Sequence, residues 1–129
     1  MHSYLPIIIG LPDEYLEYFV IANGAFIYLI KNPSEKLQAI AVKQNPTMIK
    51  YIKNPSEKLQ EFVVNIWGMY ISWIKNPCEK AQMIAVEDKG FYIEHIEHPT
   101  NNVIQFVLRR NKNFAKYIKN YPENYVHKN

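Results

Sequence analysis

The sequence has little cysteine, little glycine and no long hydrophobic run. A single cysteine among 129 residues excludes an intrachain disulfide framework and is typical of a reducing, intracellular compartment. No stretch approaches the roughly 18 apolar residues of a membrane-spanning helix, and the N-terminus lacks the basic segment of a signal peptide. We therefore expect a cytoplasmic protein that contacts no membrane.

The motifs of common active sites are also missing. There is no nucleophile elbow, no phosphate-cradling glycine-rich loop and no metalloprotease helix motif, and the chain has only four glycines. The net charge of +3 is well short of the polycation typical of a dedicated nucleic-acid binder. We predict a non-enzymatic protein with no catalytic residues, no cofactor, no metal and no small-molecule substrate.

What the sequence does contain is a repeat of 22 residues. The strings KNPSEKLQ, KNPSEKLQ and KNPCEKAQ begin at Lys31, Lys53 and Lys75, and the same spacing extends toward both ends of the chain. We number the positions of each copy from 1 to 22, and the five copies are residues 10–31, 32–53, 54–75, 76–97 and 98–119. Residues 1–9 match the second half of a copy and residues 120–129 match the beginning of one. We therefore expect irregular caps at both ends and a complete array.

Several positions are apolar in every copy. Position 21 is always isoleucine: Ile30, Ile52, Ile74, Ile96 and Ile118. Position 9 is always large and apolar: Tyr18, Ile40, Phe62, Ile84 and Phe106. Positions 11, 17 and 18 are apolar throughout as well. Stacked repeats need such columns, because each copy buries its apolar face on the next.

Each copy is predicted to fold into two short helices. Asn32 provides an N-cap, followed by proline in the first turn and glutamate for a capping box. Apolar residues at positions 6, 9 and 10 then form a helical stripe, and a turn falls at positions 14–15. A second helix should cover positions 16–22 and end on a lysine. The predicted fold is all-α: one domain over residues 1–129, a right- or left-handed α-solenoid of about five helix-turn-helix repeats.

A leucine-rich repeat is the alternative. Leu37, Ile40, Val42 and Asn45 match the signature of that family, and 22 residues lies within its period. However, position 6 becomes Ala81 in copy 4, position 10 is apolar in every copy, and the repeat is built from good helix formers. These features favour helices over strands.

The run KNPSEKLQAIAVKQNP resembles tandem helical repeats of uncharacterised bacterial, bacteriophage and giant-virus proteins, in which AVKQNG or AVKQNP ends one helix and an apolar helix follows. The resemblance covers about residues 10–120, is closest over 31–60 and weakens after Glu87. It implies an all-α solenoid and a viral or mobile-element source, and hence the cytoplasm of a host cell. By analogy, the protein could be a stand-alone inhibitor of a host defence protein, similar in role to an anti-CRISPR protein.

Two apparent chemical sites fit the repeat better than they fit catalysis or metal binding. His95 and His98 are spaced as possible metal ligands, but His95 occupies position 20, an aromatic position, and His98 occupies the asparagine position. Cys78 replaces the serine found at position 3 in copies 2 and 3. We interpret all three as variants of structural positions.

The positions that differ between copies predict where a partner binds, because the shared positions serve the stack. Copies 4 and 5 differ sharply in charge: residues 76–97 hold five acids and two lysines, and residues 98–119 hold five basic residues and no acid. Such alternation favours an oriented protein interface. The predicted partner-binding residues are Ile66, Trp67, Met69, Asp88, Phe91, Glu94, Arg109, Arg110, Lys112 and Lys116. The expected partner is a protein.

A nucleic-acid partner is the alternative function. Position 20 carries Tyr51, Trp73, His95 and Tyr117, which could stack successive bases while the basic copy 5 binds phosphates. Packing between repeats would explain the same column. Position 7 carries Gln38, Gln60 and Gln82, for which hydrogen bonding along the stack and ligand contact are both open.

Overall fold

A computed structural model describes residues 10–121, and every regular element in that range is a helix. The five ten-residue α-helices are α1 (Asp13–Ala22), α2 (Glu35–Gln44), α3 (Glu57–Ile66), α4 (Glu79–Asp88) and α5 (Asn101–Arg110). The five six-residue 3-10 helices are η1 (Gly24–Leu29), η2 (Pro46–Tyr51), η3 (Gly68–Trp73), η4 (Gly90–His95) and η5 (Lys112–Tyr117). Each copy thus contains one α-helix and one 3-10 helix. The all-α prediction is confirmed, and the strand-containing leucine-rich alternative is wrong for residues 10–121.

The predicted caps fall largely outside this range. The N-terminal half-repeat at residues 1–9 and most of the C-terminal cap, residues 122–129, lie outside the described residues. None of the helices between residues 10 and 121 combines the length and the apolar character needed to cross a bilayer.

The contacts divide the chain into two compact units, residues 1–59 and 60–129. In the first unit, α1 packs against α2, η1 packs against η2, and η1 also contacts α2. In the second unit, α4 packs against α5 and η4 lies between η3 and η5, while α4 and α5 each contact the 3-10 helix of the preceding copy. Within each unit the helices therefore pack in the order in which they occur along the chain.

Three of the five α-helices begin with a serine or threonine cap rather than the predicted asparagine, whereas α1 and α4 begin at Pro12 and Cys78 without a side-chain cap. The Ser34 hydroxyl oxygen accepts the Leu37 N–H at 3.3 Å, and the Ser56 oxygen accepts the Leu59 N–H at 3.2 Å. Asn32 instead has a φ of 56°, in the left-handed region that asparagine tolerates better than most residues. The predicted Asn32 cap and its capping box are therefore wrong by two residues.

Position 14 ends the α-helix and, where it is asparagine, also caps the 3-10 helix. Asn45 is extended, its N–H donates to the Ala41 carbonyl oxygen, and its side-chain oxygen accepts the Thr47 N–H at 3.1 Å. Asn23 and Asn111 cap η1 and η5 in the same way. The turn predicted at positions 14–15 is thus confirmed, and in the three copies with asparagine a local hydrogen bond stabilises it.

The second helix of each copy is a 3-10 helix over positions 15–20, not a helix over positions 16–22. Six residues is long for this helix type, whose hydrogen bonds have poorer geometry than those of an α-helix. Isoleucines hold it in place: in copy 3, Ile71 is fully buried and Ile74 is nearly so. Lys75, predicted in the last helical turn, lies beyond the helix end.

The core is formed by positions 6, 10, 11, 18 and 21, and position 9 is not part of it. Val63 and Val64 at positions 10 and 11 are inaccessible, whereas Phe62 at position 9 is 38% exposed and Tyr18 is 73% exposed. Positions 6 and 10, and positions 7 and 11, are four residues apart and share one helix face. Position 9 lies at the edge of that face, so its predicted core role is wrong.

A single ion pair within the described part of the first unit joins copies 1 and 2. The Lys36 ammonium donates to the Glu17 carboxylate at 2.7 Å. This hydrogen bond and then the carboxylate charge raise the pKa of Lys36 above its ordinary value. Because the lysine is exposed, the pair orients the two side chains and adds little stability.

Position 15 is a point of close approach between consecutive copies. The Gly24 N–H donates to the Gln44 side-chain oxygen at 2.9 Å, and the Gly68 N–H donates to the Asp88 carboxylate at 3.0 Å. A Cβ on Gly68 would lie 2.8 Å from that carboxylate and 3.1 Å from the Ala85 carbonyl oxygen. The glycine therefore allows the backbone to meet the following α-helix.

Gly68→Ala should destabilise the second unit by about 1–3 kcal/mol, the usual cost of forcing extra atoms into a packed contact. The same change would also push Asp88 off the Gly68 N–H. Urea unfolding measures the effect, with Ser72→Ala in the exposed part of η3 as the control. Equal midpoints for the two variants would show that the copies do not approach each other here.

Candidate binding surface

The ten predicted partner-binding residues, which we call the turn surface, all belong to the second unit. They occupy the ends of α3, α4 and α5 and the 3-10 helices that follow, and each is exposed or half-exposed. Three of the four large apolar members are exposed, since Ile66 is 53% accessible, Trp67 is 47% accessible and Phe91 is 38% accessible, and Met69 is half-buried. The structure therefore leaves all of them within reach of a partner.

Trp67 is exposed and yet held in position. It stands at position 14, where its extended backbone links α3 to η3 without a side-chain cap. Its indole N–H donates to the Tyr92 hydroxyl oxygen at 3.1 Å, and its ring meets Tyr70 edge-on at a centroid distance of 5.2 Å. An aromatic side chain fixed by two neighbours loses little conformational entropy when a partner covers it.

Trp67 belongs to a group of aromatic residues linked by ring contacts and by its hydrogen bond to Tyr92, which we call the aromatic cluster. Its members are Trp67, Tyr70, Phe91, Tyr92, His95, Phe114 and Tyr117. Phe91 lies 5.0 Å from Tyr92 and 6.3 Å from Tyr117, so it links copies 4 and 5. The cluster joins two features that the sequence suggested separately, the turn surface and part of the position 20 column.

The connectors of the cluster are the residues that sequence reasoning missed. Tyr70, Tyr92 and Phe114 all occupy position 17, which was assigned to the core column. Tyr92 is nearly buried, and its hydroxyl oxygen accepts the Trp67 indole N–H. The sequence signal was available: position 17 is aromatic in three successive copies of this unit and methionine in copy 2.

The charged members of the turn surface have different local partners. Asp88 binds the Gly68 N–H and so has a structural role in addition to its predicted one. The Arg110 guanidinium lies 4.8 Å from the Phe106 ring centroid, and the Lys116 ammonium lies 5.2 Å from that of Tyr117. These cation–π contacts keep both basic groups at the surface beside aromatic rings.

Glu94 and Arg109 make weaker contacts. The Glu94 carboxylate lies 3.5 Å from a ring nitrogen of His95, and Arg109 donates to the Gln105 side-chain oxygen at 3.5 Å. Arg109 and Arg110 also lie in the last turn of α5, where positive charge is favourable. Part of the basic character of copy 5 therefore stabilises its own helix.

The glutamines at position 7 serve the fold. Gln82 donates to the Pro77 carbonyl oxygen at 2.9 Å, and its own side-chain oxygen accepts the Thr100 N–H at 3.1 Å. Gln60 likewise accepts the Cys78 N–H at 2.8 Å. These bonds link the start of one α-helix to the next, which favours the stack over ligand contact for this column.

The position 20 column lies on the surface of the 3-10 helices. In the first unit, Tyr51 meets Tyr28 at a centroid distance of 5.3 Å and has the Lys50 ammonium 5.0 Å from its ring centroid. In the second unit, Trp73 is 41% exposed, and His95 and Tyr117 belong to the aromatic cluster. The column thus packs against its neighbours while one side of it faces solvent.

Residues 10–121 contain no group of three or more His, Cys, Asp and Glu side chains placed to hold a metal ion. Cys78 is half-buried at the N-cap of α4, where its side chain makes no capping bond. Comparison with protein-family models, curated proteins and solved structures gives no match.

Proposed function

We propose that this protein is a non-enzymatic protein-binding module and that its partner docks on the turn surface. The observation that carries the proposal is Trp67, a half-exposed indole held by Tyr70 and Tyr92. Tryptophan and tyrosine are the residue types that contribute most to protein interfaces when they lie in the centre of a contact. A fixed ring is better suited to this role than a mobile one.

The five copies, in this proposal, stack into one right- or left-handed α-solenoid. Support comes from the same kinds of contact in both units: neighbouring α-helices, neighbouring 3-10 helices, and a 3-10 helix with the following α-helix, as in η1 with α2, η3 with α4 and η4 with α5. Repeated contacts between neighbours are what build a solenoid. Its shared positions would then form the stack and its variable positions the binding surface.

The kind of partner is proposed by analogy. The repeat resembles tandem repeats of bacterial, bacteriophage and giant-virus proteins, and a small protein from a viral source would act on host proteins. A host defence protein, such as a nuclease, is the proposed target, and the mode of action is inhibition by occupancy. This step depends on the resemblance of the repeat and not on the chemistry of the surface.

Trp67→Ala should weaken partner binding by about 2–4 kcal/mol, the range of an interface hot spot. The measurement is biolayer interferometry with the host protein that the intact chain captures, purified separately. Tyr18→Ala is the matched control, because Tyr18 is the more exposed aromatic residue and lies in the first unit. Equal affinities for the wild type and Trp67→Ala, with both folded by circular dichroism, would contradict the proposed site.

A nucleic-acid partner is the second candidate, favoured by one observation. Arg109, Arg110, Lys112 and Lys116 are all exposed, and Lys116 lies beside the Tyr117 ring. Binding through phosphates would weaken steeply with salt, and each lost phosphate contact would reduce the slope by about one unit. Fluorescence anisotropy with a labelled single strand over a salt series decides between the two. A flat response favours the protein partner.

A further inference from the structure

Copies 4 and 5 carry opposite charges at the same repeat positions. Positions 12, 13 and 19 are acidic in copy 4 and basic in copy 5: Glu87 and Arg109, Asp88 and Arg110, Glu94 and Lys116. All six side chains are exposed or half-exposed. The two copies therefore present the same arrangement of sites with the sign reversed.

These opposite charges do not neutralise each other within the chain. Among residues 10–121, the ion pair between copies 4 and 5 is the one at position 22, where Lys119 lies 3.4 Å from Glu97. At position 19, Glu94 lies beside His95 and Lys116 lies over Tyr117. At position 13 the Asp88 carboxylate binds the Gly68 N–H, so the reversed charges that remain for an outside partner are those at positions 12 and 19.

Apolar surface lies at the boundary between the two copies. The ring centroids of Phe91 in copy 4 and Tyr117 in copy 5 lie 6.3 Å apart, and Phe91 is 38% exposed. The acidic positions thus belong to copy 4, the basic positions belong to copy 5, and an aromatic contact joins the two copies. Interfaces commonly combine an aromatic centre with a charged rim in this way.

We propose that the turn surface of copies 4 and 5 binds a second copy of this chain, through a two-fold axis at the Phe91–Tyr117 contact. The axis brings copy 4 of one chain opposite copy 5 of the other, because a two-fold interface uses the same patch on both subunits. Glu94 then faces Lys116 of the second chain, and Glu87 faces Arg109. The aromatic rings of both chains pack together at the centre.

The position-by-position sign reversal is what selects a second copy over an unrelated protein. A two-fold interface requires a self-complementary surface, and copies 4 and 5 provide opposite charges for one at positions 12 and 19. Ile66 and Trp67 belong to copy 3, which precedes the two copies at the axis in the sequence. Self-association therefore goes beyond the proposed function: it would cover the turn surface of copies 4 and 5 and leave Ile66, Trp67 and Met69 of copy 3 for a different partner.

The first test is the mass of the full chain by sedimentation equilibrium over a wide concentration range. At low salt the mass should rise from 15.3 kDa toward twice that value. Added salt should weaken the dimer about tenfold or more, because exposed charge pairs are screened within about 10 Å at 0.1 M ionic strength. A mass that stays at 15.3 kDa at all concentrations and low salt overturns the proposal.

The decisive test reverses the charges of one copy at a time. The first variant carries Glu87→Lys and Glu94→Lys, and the second carries Arg109→Glu and Lys116→Glu. Each alone should be monomeric, because like charges then face each other across the axis. An equimolar mixture should form a 1:1 heterodimer, because each reversed copy meets the oppositely charged copy of the other chain.

The matched control carries Lys31→Glu and Lys53→Glu, which change the net charge as much as the second variant does but lie in the first unit. It should dimerise like the wild type. When it is mixed with the first variant, it should not form the 1:1 heterodimer that the second variant forms with the first. Reversed variants that keep the wild-type dimer, or that fail to combine when both are folded, overturn the proposal. Trp67→Ala should leave the dimer intact, so loss of partner binding and loss of self-association are separable outcomes.

Discussion

Ile93→Ala should lower the free energy of unfolding by about 2–5 kcal/mol, the range for removing three carbons from a fully packed site. Ile93 stands at position 18 in the middle of η4 and is inaccessible to solvent. It is also one of the residues that hold a 3-10 helix of six residues, whose own hydrogen bonds contribute little. The alanine therefore leaves a cavity and weakens the helix around it. Urea unfolding followed by circular dichroism gives the value.

Ile66→Ala is the matched control, since it removes the same atoms from a side chain that is 53% exposed. It should change stability by roughly 0.5 kcal/mol or less, as exposed substitutions generally do. If the two variants unfold at the same urea concentration, Ile93 at position 18 is not packed in the core, which would contradict the structure.

Gln82→Leu should destabilise the protein by about 2–4 kcal/mol, because two backbone groups lose a hydrogen-bond partner at once. The Pro77 carbonyl oxygen and the Thr100 N–H both bind this side chain, which is 3% exposed. Leucine is a fair test of the hydrogen bonds alone, because position 7 is Leu16 in copy 1 and is buried there. Thermal unfolding monitored by circular dichroism measures the loss.

The control is Gln38→Leu at the same position of copy 2. Gln38 donates to the Pro33 carbonyl oxygen, but its own buried side-chain oxygen has no hydrogen-bond partner. Its replacement removes one bond and also one unsatisfied acceptor, so the net cost should be about 1 kcal/mol or less. Equal losses for the two variants would mean that the bond to Thr100 contributes nothing.

The repeat was predictable because it depends on the sequence alone. The period of 22, the all-helical class and the turn at position 14 follow from apolar spacing and from asparagine, whose local hydrogen bonds are independent of the rest of the chain. The starts of α1 to α5 keep the period without exception. Features that depend on such local interactions are the same in the folded protein as the sequence predicts.

The predictions that were wrong mainly concern features that depend on packing against neighbouring copies. In the sequence, position 9 is as apolar as position 10. Val63 is buried and Phe62 is exposed because the neighbouring copy packs on the side of the helix that carries Val63. The second helix became a 3-10 helix for the same reason, since its form is set by packing of buried isoleucines and not by intrinsic propensity. The asparagine at position 1 was mistaken for a cap, because both caps and left-handed residues favour asparagine.

The candidate surface was predictable in its location and not in its construction. Variability between copies identified residues that the structure leaves exposed. The hydrogen bond from Trp67 to Tyr92 joins residues that are 25 positions apart in the sequence, and no local sequence pattern predicts it. The same applies to Asp88, whose bond to Gly68 gives a variable residue a structural role.

The measurement that tests the 22-residue unit most directly is backbone NMR of the full chain. Helical Cα shifts should cover residues 35–44 and 79–88, with extended values at Asn45 and Lys89. Contacts between Hα and the amide proton two residues later should mark 3-10 helices at residues 46–51 and 90–95. Extended shifts over positions 9–11 of successive copies, with contacts between strands, would contradict the helical unit and the placement of the turn surface.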